Sequence, residues 1–398
     1  MTGHPRIAII GGGLAGLATA AALAHFDMQA EVFEQAPRLG EIGAGINVSP
    51  QAIKALAEIG LRQRLATAAN IAPGVVTRDM SSGAQLDYRD QTSAAARFGA
   101  GVHSFHRADL LDVLASGVDP RSIHLNHRLI GLEERAAIVG LTFANGVRRD
   151  ADLVIGADGI HSLVRLILYG RDHPAYTGQM VWRALLPGRE LPGDVLEPSG
   201  HVQWLGKGRH FFAYYLRGRE VVNIVTQEDT DQWVDEGWSI PGDPDAMRAS
   251  FPNPEPLLAV VLSRIAQCSK WGLFTRPLTD DWGHGRVQLI GDAAHAMLPN
   301  AGQGASQGFE DAYILARWLA AGRDDPIEAL RNFRRVRIPR VHAVQRLSTA
   351  IVRAKHKYDL TSAPAPPAKV DAVDRMAWVW GFDVAAAWDK SPTAPALD

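Results

Sequence analysis

Hydrophobic residues at the start of the chain form short blocks in a regular order. Residues 6–10 are a β-branched run, residues 14–26 are a stretch of small apolar residues long enough for a helix, and residues 30–33 return to a strand-like pattern. The order predicts a strand, a helix and a second strand, with glycines at the first turn.

Two later apolar runs each end in an acidic residue beside glycine: residues 152–158 (DLVIGAD) and 286–292 (RVQLIGD). Such continuous apolar character is typical of buried parallel strands. Between these two runs, the sequence pattern changes to short segments rich in β-forming residues, separated by turns that contain glycine. The segments are residues 179–186, 201–205, 210–216 and 220–226. They predict an antiparallel sheet in a second structural unit.

Helical spacing dominates the C-terminal part of the chain. The sequence turns helical after Gly304, and residues 326–358 carry apolar positions at helical spacing among many arginines. Residues 362–367 (SAPAPP) predict a short linker or turn.

Composition excludes several classes of protein. Hydrophobic residues make up 46% of the 398 and charged residues 21%, which is ordinary for a globular chain and excludes disorder. The formal net charge is −2, so nothing points to a nucleic-acid partner. The single cysteine, Cys268, excludes an intramolecular disulfide framework and a cysteine-rich metal site. A reducing, cytoplasmic setting fits best, and a homodimer is compatible with the sequence.

The N-terminal apolar stretch superficially imitates a signal peptide, because Arg6 precedes it. Three glycines, Gly11 to Gly13, would break a short hydrophobic helix there. His25 and Asp27 end the apolar run short of the roughly 20 residues that a bilayer span needs. We therefore expect no leader and no membrane segment.

Gly11, Gly13 and Gly16 form the pattern G-x-G-x-x-G between the first predicted strand and the helix. The first glycine permits a tight turn, the second lets a pyrophosphate approach the backbone, and the third lets the helix pack on the strand. We expect Leu14 and Ala15, at the helix N-terminus, to face the phosphates, because free N–H groups and the helix dipole favour anions there.

An acidic residue, Glu34, follows the second predicted strand, where a carboxylate would accept hydrogen bonds from the adenosine ribose. Gln35 beside it is a further candidate for cofactor binding. The alternative is a glycine-rich turn in an ordinary strand–helix–strand unit. The motif predicts an adenine dinucleotide and does not by itself separate FAD from NAD.

Three spaced motifs give the chain a family resemblance. They are GGGLAG with Glu34, ADLVIGADGIHSLVR with Asp158, and GDAAHAMLPNAGQGASQGFEDA with Asp292; between the first two lies HRADLLDVL with Arg107. In this order they resemble the FAD-dependent aromatic hydroxylases, single-component flavoprotein monooxygenases of the p-hydroxybenzoate hydroxylase fold. The closing WVWGFD resembles the tail of a subgroup that includes salicylate, 3-hydroxybenzoate and 6-hydroxynicotinate hydroxylases.

The resemblance implies an α/β fold with a Rossmann-like FAD-binding domain, an inserted, mainly antiparallel β-sheet substrate domain and C-terminal helices. We place the first part of the FAD-binding domain at residues 1–177 and the substrate domain at 178–275. The GDAAH part of the FAD-binding domain follows at 276–325, and the helical region at 326–398.

The resemblance also implies roles for particular residues. Asp292 matches the acidic residue that binds the ribityl chain of the flavin. Asp158 belongs to the segment that resembles the family's "DG" motif, which is credited with FAD and NAD(P)H binding. Arg107 matches an arginine that family members place near the pyrophosphate. Asp292 has an alternative as a helix cap, and Asp158 as a turn former. Arg165 is either a functional residue or a solvated charge on a helix.

Two further segments are expected to lie at the flavin ring. Gly45 and Ile46 resemble the family's loop beside the ring. Pro299 begins a loop that leads into a helix, and Gly304 and Ala305 at its start would face the pyrimidine side with their N–H groups.

The family reduces FAD with NADH or NADPH and then forms a C4a-hydroperoxyflavin from O2, which attacks an electron-rich ring. Protein groups help to deprotonate a phenol. His210 and Tyr214 are the candidates for that role, because strand alternation places residues four apart on one face. The alternative is an amphipathic sheet whose His and Tyr simply face solvent or core. No metal is needed.

Substrate contacts are expected at Asn47 and Asn300, where 6-hydroxynicotinate hydroxylases carry histidines, and at Pro299. Arg183 and Arg217 are available to anchor an anionic aromatic acid, and Arg183 is the candidate that we retain. Ala296 departs from the proline that commonly follows GDAAH. These differences leave the aromatic ring of the substrate open.

The leading hypothesis is thus an NAD(P)H-dependent FAD monooxygenase that hydroxylates a phenolic or heteroaromatic carboxylate. A flavin oxidase or dehydrogenase of a small molecule is the alternative enzyme, and a non-catalytic dinucleotide sensor is the third reading. Neither explains the joint presence of the DG and GDAAH motifs.

Overall fold

The computed structural model describes residues 5–40, 44–170, 174–193, 195–230, 240–356 and 372–390, with only the backbone described for residues 300, 352–356 and 372–375. The strands are β1 Ile7–Ile10, β2 Ala30–Phe33, β3 Gly45–Val48, β4 Gly74–Asp79, β5 Gln85–Asp90, β6 His103–His106, β7 Ile123–His124, β8 Leu129–Glu134, β9 Val139–Phe143, β10 Arg148–Ala151, β11 Leu153–Gly156, β12 Ala175–Pro187, β13 His201–Gly206, β14 Arg209–Leu216, β15 Val221–Asp229, β16 Ile240–Gly242, β17 Cys268–Thr275, β18 Gly283–His284 and β19 Val287–Leu289. The helices are α1 Leu14–His25, α2 Pro50–Leu56, α3 Arg62–Ala68, α4 Thr92–Phe98, α5 Arg107–Ala115, α6 Leu163–Tyr169, α7 Pro244–Ala249, α8 Pro256–Ser263, α9 Asp292–His295, α10 Gly304–Ala321, α11 Pro326–His356 and α12 Ala372–Trp380.

The first sheet has the order β18-β19-β11-β1-β2-β7. Strand β1 pairs in parallel with β2 on one side and β11 on the other, and β19 continues the parallel arrangement beyond β11. All four residues of β1 and of β11 are buried, as their unbroken apolar runs predict. The predicted opening unit and the two later buried strands are confirmed.

The second sheet has eight strands in the order β16-β17-β12-β15-β14-β13-β4-β5. Neighbouring strands pair antiparallel except β13 with β4, which run parallel. The four β-rich segments predicted between residues 179 and 226 are strands β12 to β15. Strands β4 and β5 lie outside the range 178–275 that we assigned to the substrate domain, so two strands of the sheet come from earlier in the chain. The domain boundaries themselves stay predictions.

The two faces of this sheet differ in chemistry. Alternate side chains of β13 to β15 form a fully buried apolar core with α7 and α8, at Val202, Trp204, Phe211, Ala213, Val222 and Ile224. The intervening residues of β13 and β14 lie on the opposite face, among them His201, Gln203, His210, Phe212 and Tyr214. The sheet therefore buries one face and offers polar groups on the other. Within the described residues, no helix is both long and apolar enough to cross a membrane.

A buried ionic cluster joins α10 to α11. Arg337 donates to Asp311 at 2.8 Å and to Glu310 at 2.6 Å, and Arg340 donates to Glu310 at 2.7 and 2.8 Å. All four side chains are inaccessible to solvent. His295 lies 2.6 Å from Asp311, whose carboxylate also accepts the N–H of Gly291 at 3.0 Å. The cluster thereby connects the GDAAH segment to two long helices.

Replacement of Arg337 by methionine is expected to lower the free energy of unfolding by about 3–5 kcal/mol, because it leaves buried carboxylates without their cation. Urea denaturation followed by tryptophan fluorescence measures the change. Arg335→Met is the matched control, since Arg335 is exposed on the same helix. Equal stability of the two variants would contradict a structural role for the cluster.

A pH dependence follows from Asp311. Burial alone would raise the pKa of its carboxyl group, but His295 and Arg337 bring it to about 2. Because this lies below the unfolded value of about 3.9, the stability contributed by Asp311 is complete above pH 4 and is lost as the pH falls toward 2. Asp311→Asn should flatten the fall in unfolding free energy between pH 4 and 2, measured at high salt.

The control for that measurement is Asp119→Asn. The pKa of Asp119 is also lowered to about 2, chiefly by its hydrogen bond with Arg121, but both side chains are largely exposed. Salt screens such a pair, so its removal should leave the pH profile unchanged. A profile altered equally by both substitutions would argue against the buried cluster as its source.

Candidate active site

The turn between β1 and α1 contains Gly11, Gly13 and Gly16, for which the sequence predicts three different roles. Gly11 has φ +107°, and a Cβ there would lie 2.5 Å from the carbonyl oxygen of Ala157. A Cβ on Gly16 would collide with the carbonyl oxygen of Gly11. At Gly13, in contrast, a Cβ would meet no atom within 4 Å. Two glycines are thus required by packing, and the middle one faces open space at the start of α1, where a phosphate would approach.

Glu34 is held beside this turn. One carboxylate oxygen accepts the N–H of Gly12 at 2.7 Å, and the other accepts the N–H of Ala36 at 2.8 Å. The glutamate therefore has a fixed orientation at the end of β2. Gln35 next to it is exposed.

The start of α1 packs on the GDAAH segment and the first turns of α10. A Cβ on Gly291 would lie 2.9 Å from the Cβ of Ala15, and one on Gly308 would lie 3.3 Å from it. The small residues let the N-terminal turns of α1 and α10 come close together. Leu14 is buried at this junction.

Asp292 lies at the same junction. Its carboxylate accepts no hydrogen bond from the described residues, and a Cβ on Gly304 would be 4.0 Å from its Oδ1. The alternative role as a helix cap is thus not observed, because capping requires a hydrogen bond to a backbone N–H. Ala305 follows Gly304 in the first turn of α10. A carboxylate that has no partner in the described part of the chain, beside a helix N-terminus, fits the ribityl side of FAD.

The carboxylate of Asp158, unlike that of Asp292, accepts hydrogen bonds from neighbouring residues. Its carboxylate accepts hydrogen bonds from the hydroxyl of Ser162 at 2.5 Å and from the N–H groups of Leu163 and Val164 at 2.8 and 3.1 Å. Burial raises the pKa of Asp158, while these hydrogen bonds oppose the shift. Asp158 therefore stabilises the start of α6. Arg165 on that helix is buried and donates to the carbonyl of Asp281 at 3.0 Å, so the reading as a solvated charge is wrong.

Strand β3 and the residue before it contact both the large sheet and the start of α5. The N–H of Gly45 donates to Oδ1 of Asn223 at 2.7 Å, and a Cβ on Gly45 would lie 2.5 Å from the hydroxyl of Tyr214. Only glycine permits this approach. Ile46 pairs with Phe105 of β6, and Arg107, which begins α5, donates its backbone N–H to the carbonyl of Ala44 at 2.8 Å.

A cavity of about 530 Å³ lies on the polar face of the large sheet. Strand β3, the loop 299–303 and helices α11 and α12 contribute the rest of its wall. Among the lining residues are Asn47, Ser49, Arg89, His201, Gln203, Arg209, His210, Phe212, Pro299, Gln303, Leu347, Met376 and Trp380. The structure therefore brings Asn47, His210 and Pro299 together, as the sequence predicts.

Other predicted substrate residues lie elsewhere. Tyr214 shares the sheet face of His210 but is buried beneath the wall of the cavity, and burial raises the pKa of its hydroxyl. Arg183 is not part of the cavity wall; its guanidinium lies 4.4 Å from the ring centre of Trp271. Arg217 pairs with Asp109 at 2.5 Å. The side chain of Asn300 lies outside the described part of the structure.

Sequence reasoning missed several polar residues of this wall, among them two arginines and a histidine. Arg89 belongs to β5, a strand that the apolar pattern did not predict because most of its residues are exposed. Arg209 adjoins His210. His201 pairs with Tyr214 across the β13–β14 hairpin, and the two rings stack 5.2 Å apart at 8°. Drawing the hairpin register from the Lys207–Gly208 turn would have placed His201 beside Tyr214.

A comparison with protein families decides the assignment. A model described as "FAD binding domain" matches residues 5–347. The chain belongs to this FAD-binding family. The structure agrees with it through the open space at Gly13 and through the carboxylate of Asp292, which no described residue contacts by a hydrogen bond, at two adjoining helix N-termini.

Relatives of the chain are aromatic monooxygenases. It is 35% identical to a 3-amino-4-hydroxybenzoate 2-monooxygenase of Streptomyces platensis over 96% of this chain and 97% of that protein. It is 34% identical to a 6-hydroxynicotinate 3-monooxygenase of Bordetella bronchiseptica, covering 87% and 91% of the two chains. A salicylate hydroxylase of Pseudomonas putida is 32% identical over 96% and 92%.

Solved structures support the same fold. A salicylate hydroxylase in complex with its substrate superimposes with a TM-score of 0.82 at 27% identity, over the full length of both chains. A 2,6-dihydroxypyridine-3-hydroxylase of Arthrobacter nicotinovorans gives a TM-score of 0.80 at 23% identity, over 93% and 96% of the chains, and shows the fold alone. This FAD-binding family member is thus an enzyme, an FAD-dependent monooxygenase of aromatic compounds, and the predicted fold class is confirmed.

The glycine geometry predicts separable effects of two substitutions. Gly13→Ala should leave the unfolding temperature of the apoprotein unchanged but weaken FAD binding about tenfold, equivalent to about 1.4 kcal/mol, because the new methyl group occupies the phosphate approach. Gly16→Ala should instead destabilise the apoprotein. FAD titration by fluorescence quenching and thermal unfolding measure the two effects.

Gly193→Ala is the matched control, since a Cβ there also meets no atom within 4 Å and the residue lies outside this site. FAD affinity unchanged in Gly13→Ala would contradict the proposed position of the pyrophosphate.

Proposed function

We propose that this enzyme hydroxylates a phenolic or heteroaromatic carboxylate, with NADH or NADPH as the electron donor and O2 as the oxygen source. The observation that carries the proposal is the cavity of about 530 Å³ between the polar sheet face and the loop 299–303. A one-ring aromatic acid fits such a volume, which is within the usual range for small-molecule sites.

The chemistry of the wall favours an anionic ring. Arg89 supplies positive charge, while Phe212, Leu347 and Trp380 supply apolar surface for the ring. The relatives named above act on amino- or hydroxy-substituted aromatic acids. Arginine is suited to carboxylates because its planar donors match them in pairs. Arg89 is therefore a better anchor for a carboxylate than Arg183, whose guanidinium lies over Trp271, or Arg209, whose guanidinium donates to the carbonyl of Ser250.

FAD, when bound, supplies electron transfer from the nicotinamide and the activation of O2. The residues proposed to hold it lie around the junction of α1 and α10, after β2 and β11, in β3 and at the start of α5: Gly11, Gly13, Leu14, Ala15, Gly16, Glu34, Gln35, Gly45, Ile46, Arg107, Asp158, Asp292, Pro299, Gly304 and Ala305. Among these, Asp158 acts through α6, because its carboxylate is already used by that helix.

His210 is the proposed proton acceptor for the substrate phenol. Its side chain lines the cavity on β14, and a histidine near neutrality can accept a proton at physiological pH. Tyr214 supports the site from below: burial raises the pKa of its hydroxyl, so it stays protonated where it adjoins Gly45. Trp380 and Met376 cover the cavity and limit access of water.

An aromatic acid as substrate, the cytoplasm as location and a homodimer as assembly are proposals of the same kind. The single cysteine, Cys268, is free and consistent with a reducing compartment. A flavin oxidase or dehydrogenase is not favoured, since the relatives are monooxygenases.

The test of the proposed function uses the purified flavoprotein. Oxidation of NADH and of NADPH is followed with salicylate, 6-hydroxynicotinate and 3-amino-4-hydroxybenzoate under ¹⁸O2. Substrate-stimulated oxidation with one labelled oxygen in the product supports the proposal. Hydrogen peroxide without oxygenated product, for every aromatic acid tried, would identify an oxidase instead. A chain that refuses FAD would overturn the whole assignment.

The role of His210 gives a separate prediction. His210→Gln should lower the hydroxylation rate roughly 10²-fold or more and remove the ionisation of the base from the pH–rate profile, because general base catalysis is lost. His284→Gln is the control, since the His284 side chain is 82% exposed on the edge strand β18. If rate and pH profile stay unchanged in His210→Gln, His210 is not the proton acceptor.

A further inference from the structure

One wall of the cavity contains a hydrogen-bonded chain of three polar side chains. The hydroxyl of Ser104 lies 2.5 Å from Oδ1 of Asn47 and 2.9 Å from Nε2 of His201. Ser104 and His201 are 1% and 3% exposed, whereas Asn47 is only partly buried and lines the cavity. The buried Ser104 therefore connects two residues of the cavity wall, Asn47 and His201.

A serine hydroxyl has a single hydrogen, so the directions of the two hydrogen bonds are coupled. The amide oxygen of Asn47 can only accept, and Ser104 must donate its hydrogen to it. Ser104 then accepts from Nε2–H of His201. Burial lowers the pKa of His201 to about 4, and Nδ1 of the ring makes no hydrogen bond with any described residue. The ring is thus neutral at physiological pH, and because Ser104 donates its own hydrogen to Asn47, the one ring hydrogen is assigned to Nε2.

The backbone holds these groups in place. Asn47 and Ser104 are directly paired across β3 and β6, and Ser104 exchanges two backbone hydrogen bonds with Asn70 at 2.7 and 2.9 Å. The ring of His201 is stacked on Tyr214. Ser104 therefore has little freedom to turn away from Asn47, and the amide oxygen stays directed at its hydroxyl.

The amide nitrogen of Asn47 is left for a ligand. Nδ2 makes no hydrogen bond with any described residue. It is not fully buried, so a ligand in the cavity can reach it. An amide N–H2 group in a cavity whose wall also contains Arg89 is suited to an anionic oxygen.

We propose that Ser104 and His201 are positioning residues that orient Asn47 so that its amide N–H2 binds a carboxylate oxygen of the aromatic substrate. The inference rests on the proposed function for the identity of the substrate class. It assigns Ser104 and His201 a role through Asn47, without contact between either residue and the reacting atoms.

The experiment measures substrate dissociation constants from the perturbation of the bound flavin spectrum in the complete FAD-loaded enzyme. The probes are three acids, salicylate, 6-hydroxynicotinate and 3-amino-4-hydroxybenzoate, each beside its uncharged carboxamide. Ser104→Ala and His201→Phe should weaken binding of the tightest acid about tenfold, and change binding of its amide less than about twofold.

Conservative variants separate positioning from packing. Ser104→Thr keeps the hydroxyl, and His201→Gln places an amide nitrogen where Nε2 lies, so both should retain most of the preference for acid over amide. Ser263→Ala, on the exposed surface of α8, is the control for serine removal. Thermal unfolding and flavin content of each variant show whether the fold is kept.

Unchanged acid binding in a folded Ser104→Ala enzyme would overturn the inference while leaving the hydroxylase intact. Weakened amide binding with unchanged acid binding would also overturn it, because Asn47 would then present its carbonyl oxygen. A wild-type enzyme that hydroxylates neutral phenols but binds none of the acids would overturn both this inference and the proposed substrate class. The assignment as a monooxygenase would then still hold.

Discussion

The carboxylate of Asp311 is the contact on which the GDAAH segment and its junction with α10 and α11 depend. It accepts hydrogen bonds from the backbone of Gly291, from His295 and from Arg337, in a place that solvent does not reach. Two of these partners belong to the GDAAH segment and one to α11. Because burying a lone carboxylate is strongly unfavourable, the three donors and the acid require one another. The segment that carries Asp292 is therefore fixed from behind.

This arrangement leaves Asp292 available. The two acids of the region have opposite environments: Asp311 is fully engaged by protein donors, and Asp292 has none among the described residues. Asp158 resembles Asp311 in this respect, because α6 uses its carboxylate. One carboxylate at the junction of α1 and α10 is thus free for a ligand, and its neighbours provide rigidity.

Much of the fold follows from the sequence because its strongest signals are local. The apolar run before Gly11 and the glycine spacing at Gly13 and Gly16 define the first unit without reference to the rest of the chain. Strand alternation likewise placed His210 and Tyr214 on one sheet face. The family assignment then followed from the order of the motifs.

Features that depend on distant pairing were less accessible to prediction. Strand β5 is mostly exposed at a sheet edge, so its pattern lacks the apolar alternation that marks a half-buried strand. Arg89 was missed with it. Arg183 was favoured for its charge, but its neighbour Trp271 becomes visible only when β12 and β17 are paired. To predict that His201 lies beside Tyr214, one needs the register of the β13–β14 hairpin as well as its existence.

Gly45 closely approaches Tyr214 and Asn223, whereas Arg89 lies on the mostly exposed edge strand β5, so these two parts of the site differ in their freedom to evolve. Around Gly45, backbone and side chains are in contact, so an exchange of any one residue demands compensating exchanges in the other two. Along β5, exposed side chains impose fewer such demands. Descendants of this protein would thus acquire new aromatic substrates by change along β5, while the surroundings of Gly45 are inherited as a unit.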